Sequence, residues 1–253
     1  MKKLILLFSI ALSHIWAQEN TLIYQKDSLS IYSVSETQEY KSAKLRLTHL
    51  ANKPKSNDMI VTFGIDSFTL KAPSNNNLTG LCANSKDGQH IHYITDNKPY
   101  TALYESFRIY SEDTGSHLLL SFLSRSHHQS LKHKSAYVLT QFDTYKKTKT
   151  YNLKAPYLFY SRPKGTYVDN DTKEVMLDFY IVNCQLSPNG HKVKVELDQK
   201  HTFYITKWSP YILKGLSLGT HSIKMTLIDS LGKKVATPFN PSERTFILQN
   251  NPK

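Results

Sequence analysis

The run from Gly88 to Asp96, Gly-Gln-His-Ile-His-Tyr-Ile-Thr-Asp, returns in the second half of the chain as Gly190 to Asp198, Gly-His-Lys-Val-Lys-Val-Glu-Leu-Asp. Each run opens on a glycine, alternates with the period of two of a strand, and closes on an aspartate before a turn. A second pair of signals follows at matching places, Gly115-Ser116-His117 and Gly219-Thr220-His221, each leading into another alternating run. The stretch Met59–Ile65 pairs with Val175–Ile181 in the same register, so that Phe63 matches Phe179, Ile65 matches Ile181, Leu70 matches Leu186 and Cys184 stands where the first copy has Phe68. An echo of this kind marks one supersecondary unit used twice.

Short alternating runs separated by turn residues, abundant tyrosine and phenylalanine (16 and 11), and the lack of a sustained helical period place the chain in the all-β class. The expected architecture is two tandem immunoglobulin-like antiparallel β-sandwich domains, an internal duplication, after a signal peptide. The boundaries read as residues 1–17 for the signal peptide, 18–40 for a polar N-terminal arm with two short strand-like runs, 41–145 for the first sandwich, 146–154 for a polar linker, 155–249 for the second sandwich and 250–253 for a tail. The spacing of Cys and Trp does not fit a true antibody-type domain.

Lys2 and Lys3 precede an apolar run from Leu4 to Leu12, and Ile15-Trp16-Ala17 supplies a cleavage site. The run is too short to span a bilayer, and no cysteine stands at the cleavage point to accept lipid, so no stable membrane anchor is expected. The reading is an exported protein, periplasmic or extracellular. Cys82 and Cys184 fall in different repeats and read as small buried thiols rather than a disulfide. A formal charge of +12, two of whose lysines belong to the leader, suits acidic partners such as anionic peptides or envelope surfaces. The basic residues are scattered without the motif of a nucleic-acid module, so no nucleic acid is expected. The oligomeric state is not legible.

Of the ten histidines outside the leader, seven lie in the first repeat. His90 and His92, two apart on a strand, point the same way. A zinc or copper site built on them would draw on His127, His128 or His133. The second repeat supplies the opposing argument. There Val193, Val195 and Leu197 form the inward face, and the same register leaves Ile91 and Tyr93 inside and His90 and His92 on an exposed polar face, with no carboxylate or cysteine at ligand spacing. The same comparison sets Leu119, Ser121 and Leu123 inward beside Ile223, Met225 and Leu227. The outward set is polar in the second repeat (Ser222, Lys224, Thr226) but apolar in the first (Leu118, Leu120, Phe122). An apolar outer row needs cover, from the N-terminal arm, the second domain or a partner. His117 and His221, each after a glycine turn, read as a matched structural pair bonded to their turns.

Several motifs carry a family likeness: Gly88-Gln89-His90-Ile91-His92, Asp96-Asn97-Lys98-Pro99-Tyr100, Phe122-Leu123-Ser124-Arg125-Ser126-His127, Tyr160-Ser161-Arg162-Pro163-Lys164-Gly165 and Thr206-Lys207-Trp208-Ser209-Pro210-Tyr211. From about Lys44 to Leu248 the chain resembles an uncharacterised family of exported Bacteroidota proteins labelled "phosphopeptide-binding protein". The resemblance implies recognition of phosphorylated or anionic peptides. Of the phosphothreonine-reading pattern of forkhead-associated domains, Ser124-Arg125-Ser126-His127 matches Ser-x-x-His and Asn189-Gly190 matches the Asn-Gly pair, but the two pieces lie in different repeats. Ser124, Arg125 and Ser126 in the first repeat, and Ser161, Arg162 and Lys164 in the second, are groups that would hold a phosphate or carboxylate by charge-assisted hydrogen bonds. Trp208 and Tyr211 either add a contact surface or pack beneath a loop. No nucleophile elbow, phosphate-cradling glycine loop, metalloprotease helix or paired-cysteine knuckle is present, so catalysis is not expected. Three readings stand open: a non-catalytic binding or scaffold module of the cell envelope with a protein or peptide partner and no cofactor, an anion- or phosphopeptide-recognition module, and a metal- or haem-handling protein using His90, His92, His127 and His128.

Overall fold

A computed structural model describes residues 20–34, 40–53, 56, 58–74 and 82–251. The leader expected at 1–17 lies outside the described residues. Within them there are seventeen strands, two short 3-10 turns and no α-helix.

The first sandwich sets a sheet of β3 (Lys44–Asn52), β4 (Asp58–Asp66) and β7 (Phe107–Ser111) against one ordered β6 (Thr101–Leu103), β5 (His90–Thr95), β8 (Gly115–Ser124) and β9 (Tyr137–Thr144). Leu45, Val61 and Phe63 from the first sheet meet Ile91, Tyr93, Leu119 and Leu123 from the second. The inward set is therefore the one that the period of two gives. In the second sandwich β11 (Gly165–Val168), β17 (Ser242–Gln249), β16 (Gly219–Ile228), β13 (Lys192–Leu197) and β14 (His201–Ile205) form one sheet. The opposing sheet holds β15 (Tyr211–Lys214), β12 (Glu174–Val182) and β10 (Tyr157–Arg162). Val193, Val195, Leu197, Ile223, Met225 and Leu227 face that sheet across the core.

In the described part of the expected arm, both strand-like runs are strands. Residues 21–33 form a hairpin of β1 (Thr21–Lys26) and β2 (Leu29–Ser33), and β2 pairs antiparallel with β15, extending the second sandwich's sheet to the order β1-β2-β15-β12-β10. Leu29 and Ile31 are fully buried in that domain's core. Gly215, at φ +81, lets the β15 backbone approach the hairpin turn at Ser28, where a side chain would collide.

The apolar outer row of the first sandwich is covered by the second. Leu118, Leu120 and Phe122 of β8, with Ile94 and Tyr100, pack on Tyr157 and Phe159 of β10 and Tyr180 and Val182 of β12. Phe122 stacks on Tyr180 with 4.4 Å between ring centroids. Three fully buried apolar side chains from one strand are worth roughly 1.5–3 kcal/mol each. The two sandwiches are thus held by a core of their own.

Candidate functional site

The same docking buries the one face that the repeat register leaves polar. His90 and His92 project from β5 beside Phe122, and both are fully buried rather than exposed as the register alone implies. Strand geometry aligned them correctly, but the neighbouring domain removed the water. The loop after β8 turns back through a bridge between Ser124 and Ser130 and brings His128 to them. His90 Nε2 lies 3.0 Å from His92 Nε2 and 3.1 Å from His128 Nδ1. The far nitrogens are also held: His90 Nδ1 donates to the Gly88 carbonyl at 2.8 Å, and His92 Nδ1 meets Ser161 Oγ of the second domain at 3.1 Å. Burial, with the Arg162 and Lys164 charges behind it, pushes His90 down to about 4. His92 and His128 are pushed down by the same desolvation. All three imidazoles are therefore neutral near pH 7.

Facing this trio, the second domain contributes positive charge. Arg162, at the end of β10, is 8% exposed, donates to Tyr167 Oη at 3.0 Å and lies over the Tyr100 ring. Lys164 donates to the Tyr100 carbonyl at 2.7 Å, with its ammonium 3.6 Å from the Tyr100 ring centroid. Arg244 from β17 donates to the Asn97 carbonyl and lies over Tyr160. The Asp96–Tyr100 turn of the first domain is thus gripped by three cations of the second, and Asn97 Oδ1 accepts the Tyr160 amide at 2.9 Å. Burial and the two arginines lower Lys164 to about 8. Among the described residues no carboxylate forms an ion pair with any of the three, and Arg162 Nε and Arg244 Nε are buried donors without a hydrogen-bond partner.

The structure brings Ser161, Arg162 and Lys164 together with His90, His92 and His128, and separates the other named residues from them. Ser124, Arg125 and Ser126 do not form an open anion loop. All three are buried, the Arg125 guanidinium sits 4.8 Å from the Tyr40 ring centroid, and Ser126 exchanges hydrogen bonds with Ser74. His127 turns away from the trio to Gln129 Oε1, and His133 bonds to the Tyr40 carbonyl. Trp208 and Tyr211 are not an exposed contact surface: Tyr211 is in the second core, and Trp208 packs edge-on against Tyr180 and donates to the Phe179 carbonyl. Sequence reasoning missed Tyr100, Asn97 and Arg244. It also missed Lys132 and Asp178, a fully buried ion pair across the seam at 2.5 Å. For Asp178 there was a signal, since it is the one charge in the apolar run Val175–Val182.

No family model matches the chain, and no curated protein does. Solved structures to which it is similar include fibronectin(III)-like modules from Clostridium thermocellum CbhA, at 10% identity over 81% of this chain and 94% of that one, with a TM-score of 0.29. A two-domain fibronectin type III segment of chicken tenascin matches at 9% identity over 81% and 98%, with a TM-score of 0.23.

Proposed function

We propose that the protein is a non-catalytic binding module of the cell envelope that takes an anionic group, a phosphate or a carboxylate, between its two domains at Arg162, Lys164 and Arg244. One observation carries this reading: three cations converge on one turn with no carboxylate among the described residues paired to them, and two of their N–H groups are buried without a partner. Clustered like charge in a low-dielectric setting is costly, and an anion relieves it while satisfying the open donors. The leader-like N-terminus supports export, and among the described residues no helix is long and apolar enough to cross a membrane.

The test is calorimetric titration at low ionic strength with inorganic phosphate, a phosphorylated peptide and its unphosphorylated counterpart. Binding of phosphate is expected, weakened at least about tenfold by Arg162→Gln or Arg244→Gln, which corresponds to one lost charge-assisted bond. A preference for the phosphorylated peptide over free phosphate would identify the source of the anion. Heat signals absent for every ligand, or unchanged in the double variant, would overturn the reading.

A further inference from the structure

From the convergence of His90 Nε2, His92 Nε2 and His128 Nδ1 in one buried place, we infer a transition-metal site for copper or zinc, independent of the anion reading. Three observations meet there. The first is spacing. An ion at about 2.0–2.1 Å from each imidazole nitrogen sets those nitrogens roughly 3.3 Å apart in a tetrahedral arrangement. Two of the three separations are 3.0 and 3.1 Å, and all three ligand atoms lie within 4.8 Å of one another.

The second is lone-pair direction. Gly88 O can only accept, so the His90 proton is on Nδ1 and the Nε2 lone pair points at the other two rings. His92 reaches the same state when its proton sits on Nδ1 toward Ser161 Oγ. A carbonyl and a hydroxyl behind ligating histidines are the outer partners that fix tautomer and ring orientation in metal centres. Without an ion, two rings compete for the single lone pair of His90; with an ion, each ring directs its own lone pair to the metal.

The third is backbone. His128 holds φ +66, a left-handed conformation uncommon for a residue with a side chain, and this turns its ring into the seam. Tyr100 stacks on His92 with 3.5 Å between ring centroids, and its hydroxyl lies 3.1 Å from His128 Nδ1, closing the remaining side of the triangle.

Imidazole-only donor sets suit zinc and copper. Arg162 and Lys164 lie over the Tyr100 ring that stacks on His92, and their repulsion penalises a divalent ion about twice as much as a monovalent one. Three neutral nitrogens and neighbouring positive charge therefore favour copper(I), which accepts three ligands, over zinc, which requires a fourth.

The experiment is competition of the mature two-domain protein against a chromophoric chelator, anaerobically for copper(I) and in parallel for zinc, with metal either added to folded protein or present during refolding. One equivalent per chain is expected, with affinity reduced at least about 100-fold by His90→Gln or His128→Gln and unchanged by His133→Gln, whose ring lies outside the trio. X-ray absorption of the loaded wild type should show a nitrogen shell near about 2.0 Å. Substoichiometric uptake under both loading conditions, uptake that survives the His90→Gln/His128→Gln double variant, or a sulfur-dominated shell would overturn the site. The absorption measurement needs no variant to fold.

Discussion

His117 and His221 solve one problem twice. His117 Nδ1 meets Asp96 Oδ2 at 2.7 Å and Nε2 meets the Asp113 carbonyl at 2.8 Å; His221 meets Asp198 Oδ2 at 2.6 Å and the Ser217 carbonyl at 2.8 Å. Each ring also stacks on the phenylalanine opposite it, Phe142 or Phe246. The other oxygen of each aspartate caps the next strand amide, Leu118 at 2.9 Å and Ser222 at 2.7 Å. This lock ties the end of β5 to the start of β8, and the end of β13 to the start of β16. Replacing His221 by Ala removes two charge-assisted or carbonyl bonds and strands a partly buried carboxylate. We expect a loss of about 2–3 kcal/mol in urea denaturation, with a similar loss for His117→Ala. An Asp198→Ala change should cost more, because the Ser222 amide loses its acceptor as well. Equal, negligible effects of His221→Ala and Asp198→Ala would show that the turns hold without the lock.

At the scale of elements, the hairpin β1–β2 is the chain's least foreseeable part. It belongs by sequence to the first domain's side and by hydrogen bonding to the second's sheet. Removing residues 20–33 uncovers β15 as a bare edge and takes two fully buried aliphatic side chains, Leu29 and Ile31, out of the core. At roughly 1.5–3 kcal/mol each, the loss should be about 3–6 kcal/mol. Gly215→Ala tests the docking without truncation, because the new Cβ meets the Ser28 backbone. The truncated protein should gain apolar-dye fluorescence and Gly215→Ala should lower the thermal midpoint; a midpoint unchanged in both would mean that the hairpin adds nothing to the fold. The repeat alignment could place β4 against β12 and β5 against β13 because each strand's alternation is a local property. It could not place β2, since a short alternating run carries no information about which edge it will pair with.

For the whole molecule the decisive contact is the seam. Lys132 of the first domain and Asp178 of β12 are 1% and 0% exposed in their side chains, with Ser130 Oγ donating to the same carboxylate oxygen and the Lys132 ammonium reaching the Phe179 carbonyl at 3.2 Å. Breaking such a pair leaves an isolated buried charge, while replacing both partners by apolar groups is close to neutral. Asp178→Ala should therefore cost about 3–5 kcal/mol, and Lys132→Met/Asp178→Leu should recover most of it. A double variant as unstable as Asp178→Ala would assign the pair a net stabilising role instead. With the seam intact the domains should unfold in one transition by fluorescence and circular dichroism alike.

The all-β class, the duplication, the inward register of each sandwich and the need for cover over Leu118, Leu120 and Phe122 were all determined by the sequence alone. Each follows from the side-chain period of two and from comparing the two copies, and both are properties of near neighbours along the chain. The run Leu118–Leu123 announced burial on both faces, being apolar almost throughout, and the structure shows the same of Val175–Val182. That these runs cover each other was decided only in three dimensions, and the chemistry of the site followed from that docking. Whether His90 and His92 meet water or a second domain depends on the packing of residues far away in sequence, among them Ser161, Arg162 and Arg244. The same packing turned an exposed polar pair into neutral, desolvated imidazoles beside three cations of the second domain, because burial and charge are set by everything within several ångströms, whatever its place in the chain.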